Sequence, residues 1–135
     1  MSKLTAQELI YKHMINVVSE NNSRIADSIA EYEDQEAFEA IWDDVDDYFD
    51  EAYEVKYETR YGTEKTNLEP KTYSRHYEVE VRAIKIDEVW VAWDFYYGGG
   101  KHGEPEEFDW INNARIVECE EKVVTKVEYT FKEMV

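Results

Sequence analysis

The chain has 135 residues, enough for one domain with its own core, and its 43% hydrophobic and 15% aromatic content excludes a disordered acidic tail. Its 32 acidic residues outnumber 15 Lys and Arg residues and give a formal net charge of −17. Nucleic acid and anionic membrane surfaces carry the same sign of charge, so neither is expected as a direct partner.

The N-terminal part of the chain is predicted to be helical. Thr5 and Glu8 have the spacing of a capping box, and apolar residues then recur at helical intervals as far as Val18. A short helix is predicted over residues 25–32. The strongest helical pattern runs from residue 34 to 52, with apolar residues three and four positions apart.

The pattern then changes to an apolar period of two. Apolar and charged residues alternate over residues 53–61, which predicts a half-buried strand, and the polar residues 62–72 predict a loop. Two more strands are predicted over residues 73–86 and 89–97, joined by a tight turn at Asp87-Glu88.

A glycine-rich loop at residues 98–105 follows, and residues 114–118 and 123–131 predict a final hairpin. Helices followed by hairpin strands favour an α+β domain. We therefore predict a single domain over residues 1–135, in which a helical part (1–52) packs on one face of an antiparallel sheet of about four or five strands (53–135).

The segment from Glu31 to Val55 contains no Lys, Arg or His. Eight of its carboxylates lie in the sixteen residues from Glu36 to Glu51. On a helix with a rise of ~1.5 Å per residue this gives roughly one charge per 3 Å, close to the one per ~3.4 Å of a DNA strand. Like-charge pairs four residues apart destabilise a helix by ~0.2–0.5 kcal/mol each.

An ordinary solvated face mixes both signs of charge, so this pattern favours a surface that binds a basic partner. A merely solvated, halophile-like surface is the alternative. The predicted partner-binding residues are Glu36, Glu39, Asp43, Asp44, Asp46, Asp47, Asp50, Glu51 and Glu54.

In size, acidity, aromatic content and the run Trp42-Asp43-Asp44-Val45-Asp46-Asp47-Tyr48-Phe49-Asp50, the chain resembles the small phage-encoded DNA-mimic inhibitors of host defence. The resemblance is one of type, covers about a third of the chain, and matches no family motif residue by residue. It implies an inhibitor that binds the basic groove of a restriction, CRISPR or repair enzyme in the host cytoplasm, with no catalytic residue and no cofactor.

Two other functional classes remain open. The chain could be an immunity protein or antitoxin that neutralises a basic toxin. It could also be an enzyme or small-ligand-binding protein that uses the aromatic strand at residues 89–97. That strand is predicted to be a central core strand; alternatively, exposure of Trp90 and Tyr96 would form a patch for a homodimer or another partner.

Other candidate sites have weaker sequence support. Residues 43–50 keep helical apolar spacing and lack the glycine of a calcium-binding loop, and Gly98–Gly103 lacks the spacing of a phosphate-binding loop. The three histidines lie far apart along the chain, so no metal site is predicted. Cys119 is the single cysteine, which favours a reducing, cytoplasmic compartment, and it is predicted to be a buried residue of the last hairpin.

Overall fold

The computed structural model describes residues 4–21, 24, 38–100, 103–105 and 108–134. Within these residues the chain is an α+β protein with three helices and one four-stranded antiparallel sheet, in the order β1-β2-β3-β4, which confirms the predicted fold class. The elements are α1 (Ala6–Asn21), α2 (Phe38–Tyr48), α3 (Glu51–Tyr61), β1 (Glu64–Lys65), β2 (Glu78–Ile86), β3 (Val89–Tyr97) and β4 (Arg115–Val117). The short helix predicted at residues 25–32 lies outside the described residues.

Helix α1 begins as its sequence predicts. The backbone N–H of Glu8 donates to Thr5 Oγ1 at 3.2 Å, so Thr5 caps the helix. The Glu8 carboxylate does not turn back to Thr5; it accepts a hydrogen bond of 3.0 Å from the backbone N–H of Phe38. Glu8 therefore joins α1 to the first turn of α2.

Strands β2 and β3 form the predicted hairpin with a two-residue turn. Asp87 and Glu88 both have positive φ, 50° and 67°, which matches the right-handed twist of the strands on either side. Lys12 of α1 lies 2.5 Å from the Asp87 carboxylate and ties the first helix to this turn.

The helices cover one face of the sheet and enclose the main core. Trp93 on β3 is completely buried, and its Nε1 donates to the backbone carbonyl of Arg60 at 2.8 Å. Its ring lies 4.9 Å from that of Trp110, which belongs to the segment before β4. Because β3 contributes large apolar side chains to this core, it is the central strand that the sequence predicts.

The other face of the sheet is held by a buried carboxylate that the sequence did not single out. Asp94 has no exposed surface, and its Oδ2 accepts hydrogen bonds from the N–H groups of Lys71 (2.9 Å) and Thr72 (2.7 Å). The Thr72 hydroxyl also donates to Oδ2 at 2.6 Å, and Arg115 Nη1 lies 3.1 Å from Oδ1. Asp94 thus fixes the loop between β1 and β2, together with β4, against β3.

The strand predicted over residues 53–61 is wrong, because these residues form α3. Ala52, Val55 and Thr59 are buried at positions i, i+3 and i+7, which is the spacing of one helix face. The helical part therefore extends to Tyr61. Gly62 then ends the helix with a φ of 66°, and a Cβ at this position would lie only 2.7 Å from the Ala83 carbonyl oxygen.

The prediction of a final hairpin over residues 114–118 and 123–131 is also wrong. Only Arg115–Val117 pair with the sheet, opposite Trp90–Ala92 of β3. Residues 118–134 are exposed throughout and belong to no helix or strand. Cys119 lies in this segment and is exposed, contrary to its predicted burial. Two corrections apply elsewhere: β2 begins at Glu78 and not at residue 73, and the short strand β1 lies inside the predicted loop.

Candidate partner-binding site

Helix α2 buries one face and exposes carboxylates on the other. Ile41, Trp42 and Val45 are almost completely buried. The exposed acidic residues of α2 are Glu39, Asp43, Asp44, Asp46 and Asp47. Because Ile41, Trp42 and Val45 enter the core, the carboxylates are directed outwards as a set.

The helical repeat sorts these carboxylates into a stripe and a flanking charge. At 3.6 residues per turn, Glu39, Asp43 and Asp47 follow one another at intervals of four, and Asp46 lies on the same side. Asp44 lies on the opposite flank. The five charges occupy about 12 Å of helix axis at ~1.5 Å per residue, so the predicted spacing of roughly one charge per 3 Å holds along α2.

The sequence predicts one continuous helix over the acidic run, but the structure divides it into two helices. Helix α2 ends at Tyr48, and α3 begins at Glu51 after the short connection of Phe49 and Asp50. Asp50 precedes the first turn of α3, and Glu51 and Glu54 belong to that turn. All three are exposed.

The break has opposite electrostatic effects on the acids before it and after it. Asp46 and Asp47 occupy the last turn of α2, where the helix dipole disfavours negative charge and no basic residue is present. Asp50, Glu51 and Glu54 instead lie at the positive end of α3, where the same charge is favourable. The new helix therefore stabilises Asp50, Glu51 and Glu54, whereas Asp46 and Asp47 are left at an unfavourable helix end.

We define the acidic surface as Glu39, Asp43, Asp44, Asp46, Asp47, Asp50, Glu51 and Glu54. The structure thus exposes eight of the nine predicted residues, while Glu36 lies outside the described residues.

The folded chain adds carboxylates that sequence spacing could not assign to this region. Burial raises the pKa of Tyr11 to about 12, and the negative charges of Glu39, Asp43, Asp109 and Glu8 add to the effect. Glu8 comes from α1 and Asp109 from the segment before β4. Carboxylates from α1 and from the segment before β4 therefore act on the same tyrosine as Glu39 and Asp43 of the acidic surface.

Apart from Glu51, no residue of the acidic surface is paired with Lys or Arg in the ion pairs that the structure describes. The described pairs involve other acids: Lys12–Asp87, Lys65–Glu80, Arg82–Glu80, Lys85–Glu88, Arg115–Asp94 and Lys122–Glu120. Glu80, which lies outside the acidic surface, shows how pairing with Lys and Arg changes the pKa of a carboxylate. Burial raises its pKa, but the hydrogen bonds and positive charges of Lys65 and Arg82 outweigh burial and lower it.

Beside the acidic surface, α3 carries a ladder of tyrosines. Tyr53, Tyr57 and Tyr61 are 66%, 38% and 40% exposed. The rings of Tyr53 and Tyr57 stack with centroids 6.4 Å apart, and those of Tyr57 and Tyr61 meet edge to face at 5.5 Å. The Tyr61 hydroxyl donates to that of Tyr57 at 3.0 Å. We call these three residues the tyrosine ladder.

A cleft of about 260 Å³ joins the ladder to the acidic surface. Asp46, Tyr53 and Tyr57 all line this cleft, together with Lys56, Arg60, Glu104 and Trp110. Arg60 is buried, with its guanidinium 4.3 Å from the Phe95 ring centroid. The sequence analysis did not predict the tyrosine ladder, because it placed these tyrosines on the buried face of a strand.

The exposed aromatic patch on β3 is not present. Tyr96 is 4% exposed, stacks on Phe108 at 4.3 Å and hydrogen-bonds through its hydroxyl to Thr72. Trp90 is half-buried. The core interpretation of this strand is the correct one.

The remaining candidate residues form no assembled site in the described part of the chain. His13 is half-buried on α1, where burial lowers its pKa despite the nearby charge of Glu20, whereas His76 is exposed and His102 lies outside the described residues. No group of three or more His, Cys, Asp or Glu side chains among the residues described could hold a metal ion.

In the ranges that the structure describes, no helix has the length and apolar character required to cross a membrane. Comparisons with protein-family models, with curated proteins and with solved structures find no match to this chain.

Proposed function

We propose that this chain is an inhibitor that occupies the basic nucleic-acid-binding groove of a host enzyme and has no catalytic activity or cofactor of its own. The observation that carries the proposal is the acidic surface, in which exposed carboxylates follow one another on two consecutive helices without a described lysine or arginine partner, Glu51 aside. A groove of the restriction, CRISPR or repair type would be its target.

The spacing of charge supports this proposal more than the net charge does. A groove that binds nucleic acid places Lys and Arg to meet phosphates ~3.4 Å apart along a strand. Carboxylates spaced at roughly 3 Å along α2 can accept hydrogen bonds from the same groups, including paired bonds from Arg. A fixed array also accelerates association with a basic surface, since opposite potentials steer the encounter.

The tyrosine ladder would supply the part of the affinity that salt does not screen. Charges at an interface rim mainly determine association rate and specificity, whereas buried aromatic residues provide most of the binding free energy. Tyr53 is the most exposed of the three and lines the same cleft as Asp46. We therefore infer that the carboxylates of α2 and of the start of α3 provide the charge of one interface, and the tyrosine ladder its apolar contacts.

The proposal is tested in two stages. The purified chain is immobilised, and proteins retained from a bacterial lysate at low salt are identified. A retained protein is then purified, and its binding to the chain is measured with and without a short DNA duplex. We expect the partner to bind nucleic acid, the duplex to compete, and the affinity to fall as the salt concentration rises.

The key variant reverses four charges, Asp43, Asp46, Asp47 and Asp50 to Lys, and should abolish binding while the circular dichroism spectrum stays that of a folded chain. A matched control reverses four exposed acids elsewhere, Glu20, Glu64, Glu69 and Glu78. Equal loss in both variants would reduce the interaction to bulk charge and contradict the proposal. A partner that binds through the acidic surface but is indifferent to DNA would instead indicate an immunity protein.

A further inference from the structure

Residues 118–134 have the alternating sequence of a β-strand, but they pair with no strand in the described part of the chain. Val123, Val127, Tyr129 and Phe131 are between 75% and 103% exposed. The rings of Tyr129 and Phe131 stack at 6.3 Å, which places two residues i and i+2 on the same side of an extended backbone. We call residues 118–134 the C-terminal strand segment.

Such a segment requires a partner. An extended backbone with an apolar face and unpaired N–H and C=O groups is a template for pairing with another chain. Folded proteins do not leave a long strand of this kind open, because it would aggregate. The apolar residues alternate with Lys122, Lys126, Glu128 and Lys132, so the segment has the two distinct faces of a strand in a sheet.

We propose that the C-terminal strand segment pairs antiparallel with the same segment of a second copy of this chain, around a two-fold axis at Thr125. The position of the axis follows from the sequence. In an antiparallel pair, directly opposite side chains lie on the same face, so the residue numbers of each pair must have an even sum to keep the apolar faces together. Among such registers, we choose the one centred on Thr125, in which every charged residue that lies opposite another charge lies opposite one of the other sign.

In this register Lys122 lies opposite Glu128, and Glu118 lies opposite Lys132. Two-fold symmetry forms each pair twice, which gives four ion pairs and no like-charge pair. Neighbouring registers are worse: an axis at Val127 opposes Lys122 to Lys132, and an axis at Val124 opposes Lys122 to Lys126. Because direct cross-strand pairs are the unit of sheet stability, these differences select the register.

The apolar residues agree with the same register. Val123 lies opposite Val127, Cys119 opposite Phe131, and Ile116 opposite Met134. Ile116 and Met134 are 50% and 97% exposed in the single chain.

The charge of the chain permits self-association at this place. From Glu118 to Met134 there are five glutamates and three lysines, so the whole segment carries −2 of the chain's −17, and its part from Lys122 to Met134 carries +1. The repulsion between two copies around Thr125 is therefore much weaker than the net charge of the chain alone indicates.

The groove beside the start of the segment fits the end of the partner's segment. It is lined by residues 64–68, Ala83, Trp90 and residues 117–122. Trp90 pairs with Val117, so these two side chains share the sheet face that the helices do not cover. Phe131 of a second copy would lie opposite Cys119, beside this groove. Complete burial of the four aromatic residues of the two segments would remove ~600–1,000 Å² from solvent, compared with the ~1,200–2,000 Å² of a stable interface.

Cysteine cross-linking tests the register directly. In a Cys119→Ser background, Thr125→Cys places two thiols at the two-fold axis, where opposite Cα atoms lie about 4.5–5.5 Å apart and a disulfide can form. The control Val123→Cys changes the same face, but its two copies are separated by four residues of strand, roughly 13 Å, which is too far. We expect oxidised dimer from the first variant and not from the second.

Sedimentation across a dilution series provides the second test. We expect a dimer for the full chain, about tenfold weaker dimerisation for Lys122→Glu, and recovery in the double variant Lys122→Glu and Glu128→Lys, which restores the pairs with reversed sign. A monomer at all concentrations, equal cross-linking at both cysteine positions, or no recovery in the double variant would overturn the proposal. None of these residues lies in the acidic surface, so the outcome is independent of the proposed function.

Discussion

Neutralising the C-terminal half of α2 should make the protein more stable. The variant replaces Asp43, Asp46 and Asp47 with Asn, which keeps the shape of each side chain and removes three charges. All three side chains are exposed, so the substitutions leave the core unchanged. Asn and Asp have similar helix propensities, so the effect on stability is mainly electrostatic.

The magnitude follows from the positions. The variant removes like-charge pairs at intervals of three and four residues within α2, worth ~0.2–0.5 kcal/mol each. It also removes two negative charges from the last turn, worth ~0.3–1 kcal/mol each at low ionic strength. Because such terms are not additive, we expect the free energy of unfolding to rise by about 1–3 kcal/mol. The melting temperature of a chain of this length should rise by ~3 °C per kcal/mol.

Urea denaturation followed by circular dichroism measures this change. The gain should be largest at low salt and shrink in ~1 M NaCl, where the screening length is only ~3 Å. A control replaces Glu64, Glu69 and Glu78, three exposed acids outside the helices, with Gln and should gain much less. If the Asn variant is no more stable than the parent at low salt, the acids of α2 do not repel one another as the structure indicates.

Three further predictions concern single residues. Because the pKa of Tyr11 is raised to about 12 from an ordinary 10.0, stability should be fully present below pH 10 and decline as pH rises towards 12, and Asp43→Asn should lower this pKa in carbon-13 NMR of the tyrosine rings. Asp94→Ala should lower the free energy of unfolding by about 3–5 kcal/mol in urea denaturation, because it leaves the Arg115 charge and two backbone N–H groups without their partner. Glu88→Gly should raise the melting temperature, since glycine removes a cost of ~1 kcal/mol at a φ of 67°.

Each of these predictions has a control. For Tyr11 it is Glu121→Gln, which removes a distant charge and should leave the pKa of Tyr11 unchanged. For Asp94, Asn is the comparison, because it keeps the shape and should be less damaging than Ala. For the turn, Lys85→Gln removes the exposed ion pair of 3.3 Å to Glu88 and should change stability little. A Glu88→Gly variant that melts below the parent would refute the turn prediction.

Local patterns predicted the elements whose period is unambiguous. The apolar spacing of α1 and α2 and the strands on either side of Asp87-Glu88 lie where expected. The prediction of a strand in place of helix α3 was wrong because a spacing of four residues fits both structures. The interval between Tyr53, Tyr57 and Tyr61 equals two strand periods and is also about one helical turn. The spacing of Ala52, Val55 and Thr59 distinguishes the two, but only once these residues are known to share a buried face.

Contacts between distant parts of the chain could not be predicted. The residues adjacent to Asp94 in the sequence give no indication that its partners in the fold are Lys71, Thr72 and Arg115. The C-terminal strand segment shows a different limit. Its alternation is real, but a sequence pattern gives only the tendency to pair and not the identity of the partner.

A redistribution of charge at constant net charge tests the central claim most directly. Asp43→Asn and Asp47→Asn remove two charges from the stripe, and Asn67→Asp with Lys71→Gln restores a net charge of −17 at exposed positions of another loop. The affinity of the captured partner should fall at least about tenfold, since each lost carboxylate leaves a cation in the groove unpaired. Unchanged affinity would mean that the partner senses only total charge and would contradict mimicry of phosphate spacing.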